Sequence, residues 1–242
     1  MKGVALVVAS SAAAGVATHF LVNRSKVNPV MKKTLREAQK DLSKHITSAD
    51  LEDDGPLAAI FADSGWSKRV DVRDGKVMDW CGMAVGAWLH RGGMRAEHRK
   101  SFWATENVRS FFSYAKKGTT HRRTELAVGG KPIEAAHAAA GAKRQWLEAE
   151  ALRAIPWREL DIEAGDVVLI AHNGRLTGAD HIALVEAFDG RYLTTLEGNA
   201  SGKLADGRST ASGVVRKQRD LANAATRNTL FGVGRLSKLD FV

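Results

Sequence analysis

Pro156 divides the chain into two textures, and their order restricts the fold. Downstream lie short β-branched, alternating or continuously apolar runs: DVVLIAH (166–172), HIALVEAF (181–188), RYLTTLEG (191–198), GVVRKQRDL (213–221) and LFGVGRLSKL (230–239). Asn-Gly, Asp-Gly and Gly-Asn pairs bound several of them, as turns do in a sheet. The second and third runs meet at Asp189-Gly190, a strong hairpin signal. Upstream, apolar residues recur at helical spacing instead. Helices followed by hairpin-linked strands specify an α+β protein with an antiparallel sheet. No internal repeat is present.

The upstream half predicts several helices. VMKKTLREAQKDLSKHI (30–46) is amphipathic, with a ragged stripe of Val30, Leu35, Leu42 and Ile46. SADLEDDG (48–55) is acidic and turn-like, PLAAIFADSGW (56–66) is a short helix, and RVDVRDGKV (69–77) is a loop with an Asp-Gly turn. In WCGMAVGAWLHRGG (80–93), Cys81, Ala84, Val85, Trp88 and Leu89 fall at i, i+3, i+4, i+7 and i+8, one apolar helical face. Gly92-Gly93 ends that helix. TENVRSFFSYAKKG (105–118) predicts another helix with Thr105 as N-cap. The Ala-rich run 133–155 predicts a third.

At 44% hydrophobic and 26% charged residues, with four prolines, the chain has the composition of a folded protein. One cysteine excludes a disulfide scaffold and any zinc site of several thiolates. The net charge of +9 favours polyanionic partners: nucleic acid, anionic lipid or an anionic bacterial wall. The basic residues are scattered, and no aromatic-plus-basic signature of a nucleic-acid module accompanies them, so no specific nucleic-acid partner is expected. Residues 3–22, GVALVVASSAAAGVATHFLV, carry no acidic residue, lysine or arginine. Twenty helical residues span ~30 Å, the thickness of a bilayer core. Three readings fit this segment: a signal peptide, with GVA at 15–17 as a small-residue cleavage site; a membrane anchor in contact with lipid; or an assembly helix whose small residues allow close packing.

Cys81, the sole cysteine, stands at the first turn of its predicted helix. A free thiol is mostly protonated at neutral pH, and a helix N-terminus favours the thiolate. A thiolate nucleophile also needs a base, ordinarily histidine, and a polar group that orients the imidazole. His181 opens an apolar strand after the polar loop 178–180, and LEGNASG (196–202) lies on the next strand. A hairpin closed at Asp189-Gly190 brings Glu197 near His181. Asn199, two residues on, is expected on the same face, where it orients the histidine instead or polarises a bound carbonyl. Trp80 and Trp88 read as core, and His172-Asn173-Gly174 as a plain hairpin tip. No HExxH, P-loop or metal-ligand spacing is present, and no cofactor is expected.

The order Trp-Cys opening a helix, then GDVV (165–168), DHIALV (180–185), TTLEGN (194–199) and GVVRK (213–217) resembles the CHAP-type cysteine amidases and peptidases of phage and bacterial cell-wall hydrolases. The resemblance covers roughly residues 55–240. It implies a papain-like α+β fold and hydrolysis of a peptidoglycan amide, by amidase or endopeptidase action. The nucleophile falls on Cys81, the base on His181, and the further polar residues on Glu197 and Asn199. Two departures stand out. The family usually has glycine before the histidine, where this chain has Asp180; and the cysteine-to-histidine gap is longer, the Ala-rich helix reading as an insertion.

The expected organisation is therefore an apolar segment over 1–24, a helical linker over 25–54, and a CHAP-like hydrolase domain over 55–242 with a helical insertion near 119–155. The expected setting is the periplasm, the cell wall or a phage virion, with peptidoglycan as substrate and virion or tail proteins as partners. The alternative is a structural virion or envelope component that keeps the fold without the activity.

Overall fold

Asn28 caps the first helix, its side-chain oxygen accepting from the Val30 amide, and Pro29 supplies the fixed φ suited to a first helical position. The computed structural model describes residues 28–67, 69–105, 107–108, 111–112, 146–172 and 179–236. Residues 1–24, most of the proposed insertion and the Asn173-Gly174 turn lie outside them. Among the described residues, no helix is long and apolar enough to cross a membrane.

The helices are α1 (Pro29–Ser43), α2 (Pro56–Asp63), α3 (Cys81–Gly92), α4 (Ala149–Ala154) and α5 (Ala224–Asn228), with 3-10 turns at Ala96–Phe102 and Trp157–Glu159. The strands are β1 (Val72–Arg73), β2 (Lys76–Val77), β3 (Trp146–Glu148), β4 (Val167–Ile170), β5 (His181–Phe188), β6 (Tyr192–Lys203), β7 (Ser209–Asp220) and β8 (Leu230–Gly234). Strands β1 and β2 form a small hairpin. Its turn residues Asp74 and Gly75 both have positive φ, at 51° and 72°, as a two-residue turn of matching twist requires. The other six form an antiparallel sheet in the order β3-β8-β4-β5-β6-β7. The chain is thus a mixed α+β protein with its first three helices ahead of the main sheet.

Each face of the sheet is covered. Val167, Leu169, Ile182, Leu184 and Leu196 belong to a core shared with α1, α2 and α3. Their neighbours Val168, Ile170, Ala183 and Val185 pack with Leu152 of α4, Leu160, Ile162 and Val233. Successive strand residues point to opposite faces, so β4 is buried throughout and reads as a continuous apolar run. Helix α1, in the segment expected to be a linker, buries Met31, Ala38 and Leu42 in the same core as α3. Asp41 of α1 accepts from the Trp88 indole and pairs with Arg91, which also reaches Asp63 of α2.

Two sequence expectations are corrected. The run expected to be helical to residue 155 contains strand β3, which pairs with β8 from Trp146↔Gly234 to Glu148↔Gly232. Trp146 is fully buried, its indole lying over Gly232, where an added Cβ would meet the ring at 2.2 Å. The pairing site on β8 overrides the helical preference of the surrounding alanines. Thr105 is itself helical rather than an N-cap, and its hydroxyl donates to the Ala179 carbonyl at 2.8 Å.

Candidate active site

Helix α3 is buried all round, not along one face: every residue from Cys81 to Leu89 is enclosed. Its glycines make this possible. Gly82 and Gly86, one turn apart, admit the carbonyl oxygens of Phe102 and Arg99; an added Cβ would lie 1.9 Å and 2.8 Å from them. On another side, Gly198 of β6 lies against Ala84 and Trp80, where a Cβ would come within 2.4 Å and 2.9 Å. These contacts fix the start of α3 against β6. Gly93 then ends the helix at φ 114°.

Cys81 is the first residue of α3. The first helix-internal hydrogen bond runs from Ala84 N to Trp80 O at 2.9 Å, so the amides of Cys81, Gly82 and Met83 have no acceptor within the helix. Cys81 and Glu197 are the two side chains that favour the charged ring of His181, the first residue of β5. His181 Nε2 lies 2.9 Å from Glu197 Oε2. Cys81 and His181 keep 9% and 5% of their surface and Glu197 none, so the contacts run from the rim of the molecule inward.

The electrostatics follow from the contacts. Burial works against the charged imidazole, but the interactions with Cys81 and Glu197, whose carboxylate accepts from Nε2, more than offset it and push His181 up to about 9. The ring is therefore imidazolium at neutral pH. Burial likewise works against the Glu197 carboxylate. The hydrogen bond to His181 and the charge of Arg219 outweigh it and hold the group well below the usual carboxylate range.

The Asp189-Gly190 hairpin forms as expected: β5 pairs with β6 from Leu184↔Leu196 to Phe188↔Leu193, and His181 and Glu197 meet at its open end. The Asp189 carboxylate caps the turn, accepting from the amides of Arg191 and Tyr192. Cys81, His181 and Glu197 come together. Asn199 does not join them. Its Nδ2 donates to Asp79 at 3.1 Å and its oxygen accepts from Ser212 at 2.6 Å. The expectation that Asn199 shares a face with Glu197 fails because β6 carries a bulge there. Glu197 pairs with Val215 and Ala200 with Gly213, so Gly198 and Asn199 oppose the single residue Val214. Asn199 takes the left-handed φ of 54° that such a distortion requires and that asparagine tolerates.

Four residues at or beside the site escaped the sequence reading. Thr195 and Arg219 bond the Glu197 carboxylate, and Lys217 lies 3.7 Å from it. Their signal was available as alternation: 195 with 197 on one strand, 217 with 219 on its neighbour. The fourth is His172, read from sequence as part of a hairpin tip. Its ring lies 5.3 Å from that of His181, and its Nδ1 is 2.8 Å from Asp180. Asp180, the residue standing where the CHAP resemblance expects glycine, thus turns to His172. Burial acts to raise its carboxyl, and hydrogen bonds from the His172 amide and ring outweigh it and leave it lowered.

No protein-family model matches the chain, and no curated protein matches it. Among solved structures, the chain is similar to the crystal structure of Ly7917, at 15% identity and a TM-score of 0.32. The match covers 86% of this chain and 62% of that one, and at that score it carries no argument about fold or function.

Proposed function

We propose that the chain is a papain-like cysteine hydrolase that cleaves an amide bond of peptidoglycan through Cys81, His181 and Glu197. The observation that carries this reading is His181 held at 2.9 Å by the buried Glu197 carboxylate, with Cys81, at a helix start, as the other side chain that favours the charged ring. A thiol, an imidazole and an orienting acid in that order form the constellation of nucleophilic acyl transfer. In this mechanism the thiol proton passes to His181, and the sulfur attacks as the thiolate.

The chemistry then runs in two halves. The Cys81 sulfur bonds to the amide carbonyl carbon, and the oxygen takes up the negative charge. The backbone amide of Cys81, without an acceptor in its own helix, is the donor this reading assigns to that oxygen; one such donor is typically worth ~3–4 kcal/mol of transition-state stabilisation. His181 gives its proton to the leaving nitrogen, the C–N bond breaks, and a thioester remains on Cys81. His181, now neutral, takes a proton from water, the hydroxide attacks the thioester, and the sulfur leaves as thiolate. Glu197 holds the imidazole through Nε2 and offsets its charge throughout.

Peptidoglycan as substrate rests on the CHAP resemblance and on the net charge of +9, which favours an anionic wall. Export, virion association and virion or tail partners belong to the same reading. The test is digestion of purified peptidoglycan by the full chain beside Cys81→Ala, with released fragments identified by mass. Fragments from the wild type alone, ending at the sugar–peptide or a peptide–peptide amide, support the reading and name the bond. No fragments from folded wild-type protein on several wall types overturn it.

A further inference from the structure

The Glu197 carboxylate divides its two oxygens between two sets of partners. Oε2 faces His181 Nε2 at 2.9 Å, with Lys217 Nζ at 3.7 Å. Oε1 accepts from the Thr195 hydroxyl and from Arg219 Nη1. Arg219 Nη1 also donates to Thr195 Oγ1 at 2.7 Å, closing a three-membered ring of hydrogen bonds. The sheet builds this ring. Leu193↔Arg219, Thr195↔Lys217 and Glu197↔Val215 are paired, so all six residues share one face, and the Arg219 side chain runs back along the ladder to Thr195 and Glu197. Glu197 is wholly buried, and the Arg219 side chain keeps 11% of its surface.

We propose that Arg219, with Thr195, is a positioning residue of the site: the two fix Oε1 of Glu197 so that Oε2 is left turned to His181. This rests on the reading of Cys81, His181 and Glu197 as the reacting site. A carboxylate on one side-chain axis can rotate, and a single bond to His181 does not set its plane. A guanidinium and a hydroxyl on the second oxygen do. The same guanidinium supplies the charge that lets a carboxylate remain ionised at full burial. The groups facing Glu197 are His181 on β5, Thr195 on its own strand, and Lys217 and Arg219 on β7. Arg219 and His181 bond it directly, and Lys217 stands 3.7 Å away.

The sole cysteine makes a substrate-independent test available, because iodoacetamide alkylation of a thiol reports on Cys81 alone. Rates are measured against pH for the wild type, Arg219→Gln, Arg219→Lys, Glu197→Gln and His181→Ala, with folding followed by circular dichroism. The expected result is an Arg219→Gln protein slowed ~10-fold or more, because even a small misplacement of a reacting group costs up to ~100-fold in rate. Its alkylation should also fall off at a higher pH on the acid side, because Glu197 takes up a proton more readily without the guanidinium. Arg219→Lys keeps a cation, but its shorter side chain ends before the position Nη1 takes between Thr195 and Glu197, so it should be slowed while its acid fall-off stays near that of the wild type. An Arg219→Gln protein with wild-type rates, or one slowed without a displaced fall-off, overturns the proposal. If Arg219→Gln does not fold, wild-type rates in Arg219→Lys overturn it and slowed rates support it. Equal rates in wild type, His181→Ala and Glu197→Gln would instead sink the reading of the site itself. Slowing in those two without any in the Arg219 variants would remove Arg219 alone.

Discussion

The contacts of His181 tie the charge on its ring to the stability of the fold. Its imidazolium is disfavoured by burial and favoured, by a larger amount, through Cys81 and Glu197, so it titrates near 9 rather than 6.5. A folded value above the unfolded one means stability fully present below about pH 6.5 and lost as pH rises through about 9. Cys81→Ala removes the first of the two favourable partners. The ring of His181 should then titrate at lower pH by NMR, and the loss of stability between those two values should flatten. A titration unmoved by Cys81→Ala would mean that the thiol and the imidazole do not share a proton. The sequence carried three of these side chains, because a lone cysteine at a helix start and a histidine at a strand start are visible as patterns. It misplaced Asn199, because a bulge of one residue breaks the alternation on which the expectation rested. It missed Thr195 and Arg219, because a polar residue alternating on a strand reads as solvent-facing until the neighbouring strand is known.

At the scale of elements, the site depends on how closely α3 approaches β6. Gly198 sets that distance, with Ala84 and Trp80 against the space a side chain would fill. Gly198→Ala should destabilise the protein by about 1–3 kcal/mol, the usual effect of overpacking a tight contact. It should also slow Cys81 alkylation, since the start of the helix must move away from the strand that holds Glu197. Denaturant unfolding and the alkylation rate check the two effects separately; wild-type stability would mean that the helix and strand have slack. The strands from β4 onward were legible because they are β-branched, alternating or continuously apolar runs bounded by Gly or Asp. Helix α3 was legible in extent, from Cys81 to Gly92, but not in its complete burial. That depends on Gly82 and Gly86 receiving the carbonyls of the 3-10 turn that follows, a contact no periodicity announces. Strand β3 was hidden for a related reason: its partner lies at the far end of the chain, and its own residues favour a helix.

Over the whole molecule, helices preceding an antiparallel sheet were apparent from the order of textures, and the two covered faces follow from the apolar runs β4 and β5. The net charge of +9 acts at this scale too. Charges near a surface are screened over ~10 Å at 0.1 M salt and ~3 Å at 1 M. If the proposed substrate is right, sedimentation of Cys81→Ala, the variant without the proposed nucleophile, with insoluble peptidoglycan should therefore weaken as salt is raised. Retention indifferent to salt would show that the charge is not what holds the wall. The central claim is covalent: Cys81 carries the acyl group of its substrate during turnover. Its most direct test is the intact mass of the protein, quenched in acid moments after mixing with soluble peptidoglycan fragments. The wild type should gain a fragment mass, removable by hydroxylamine as a thioester is, and Cys81→Ala should gain none. Fragments cut equally by both proteins, with no adduct on either, would contradict it.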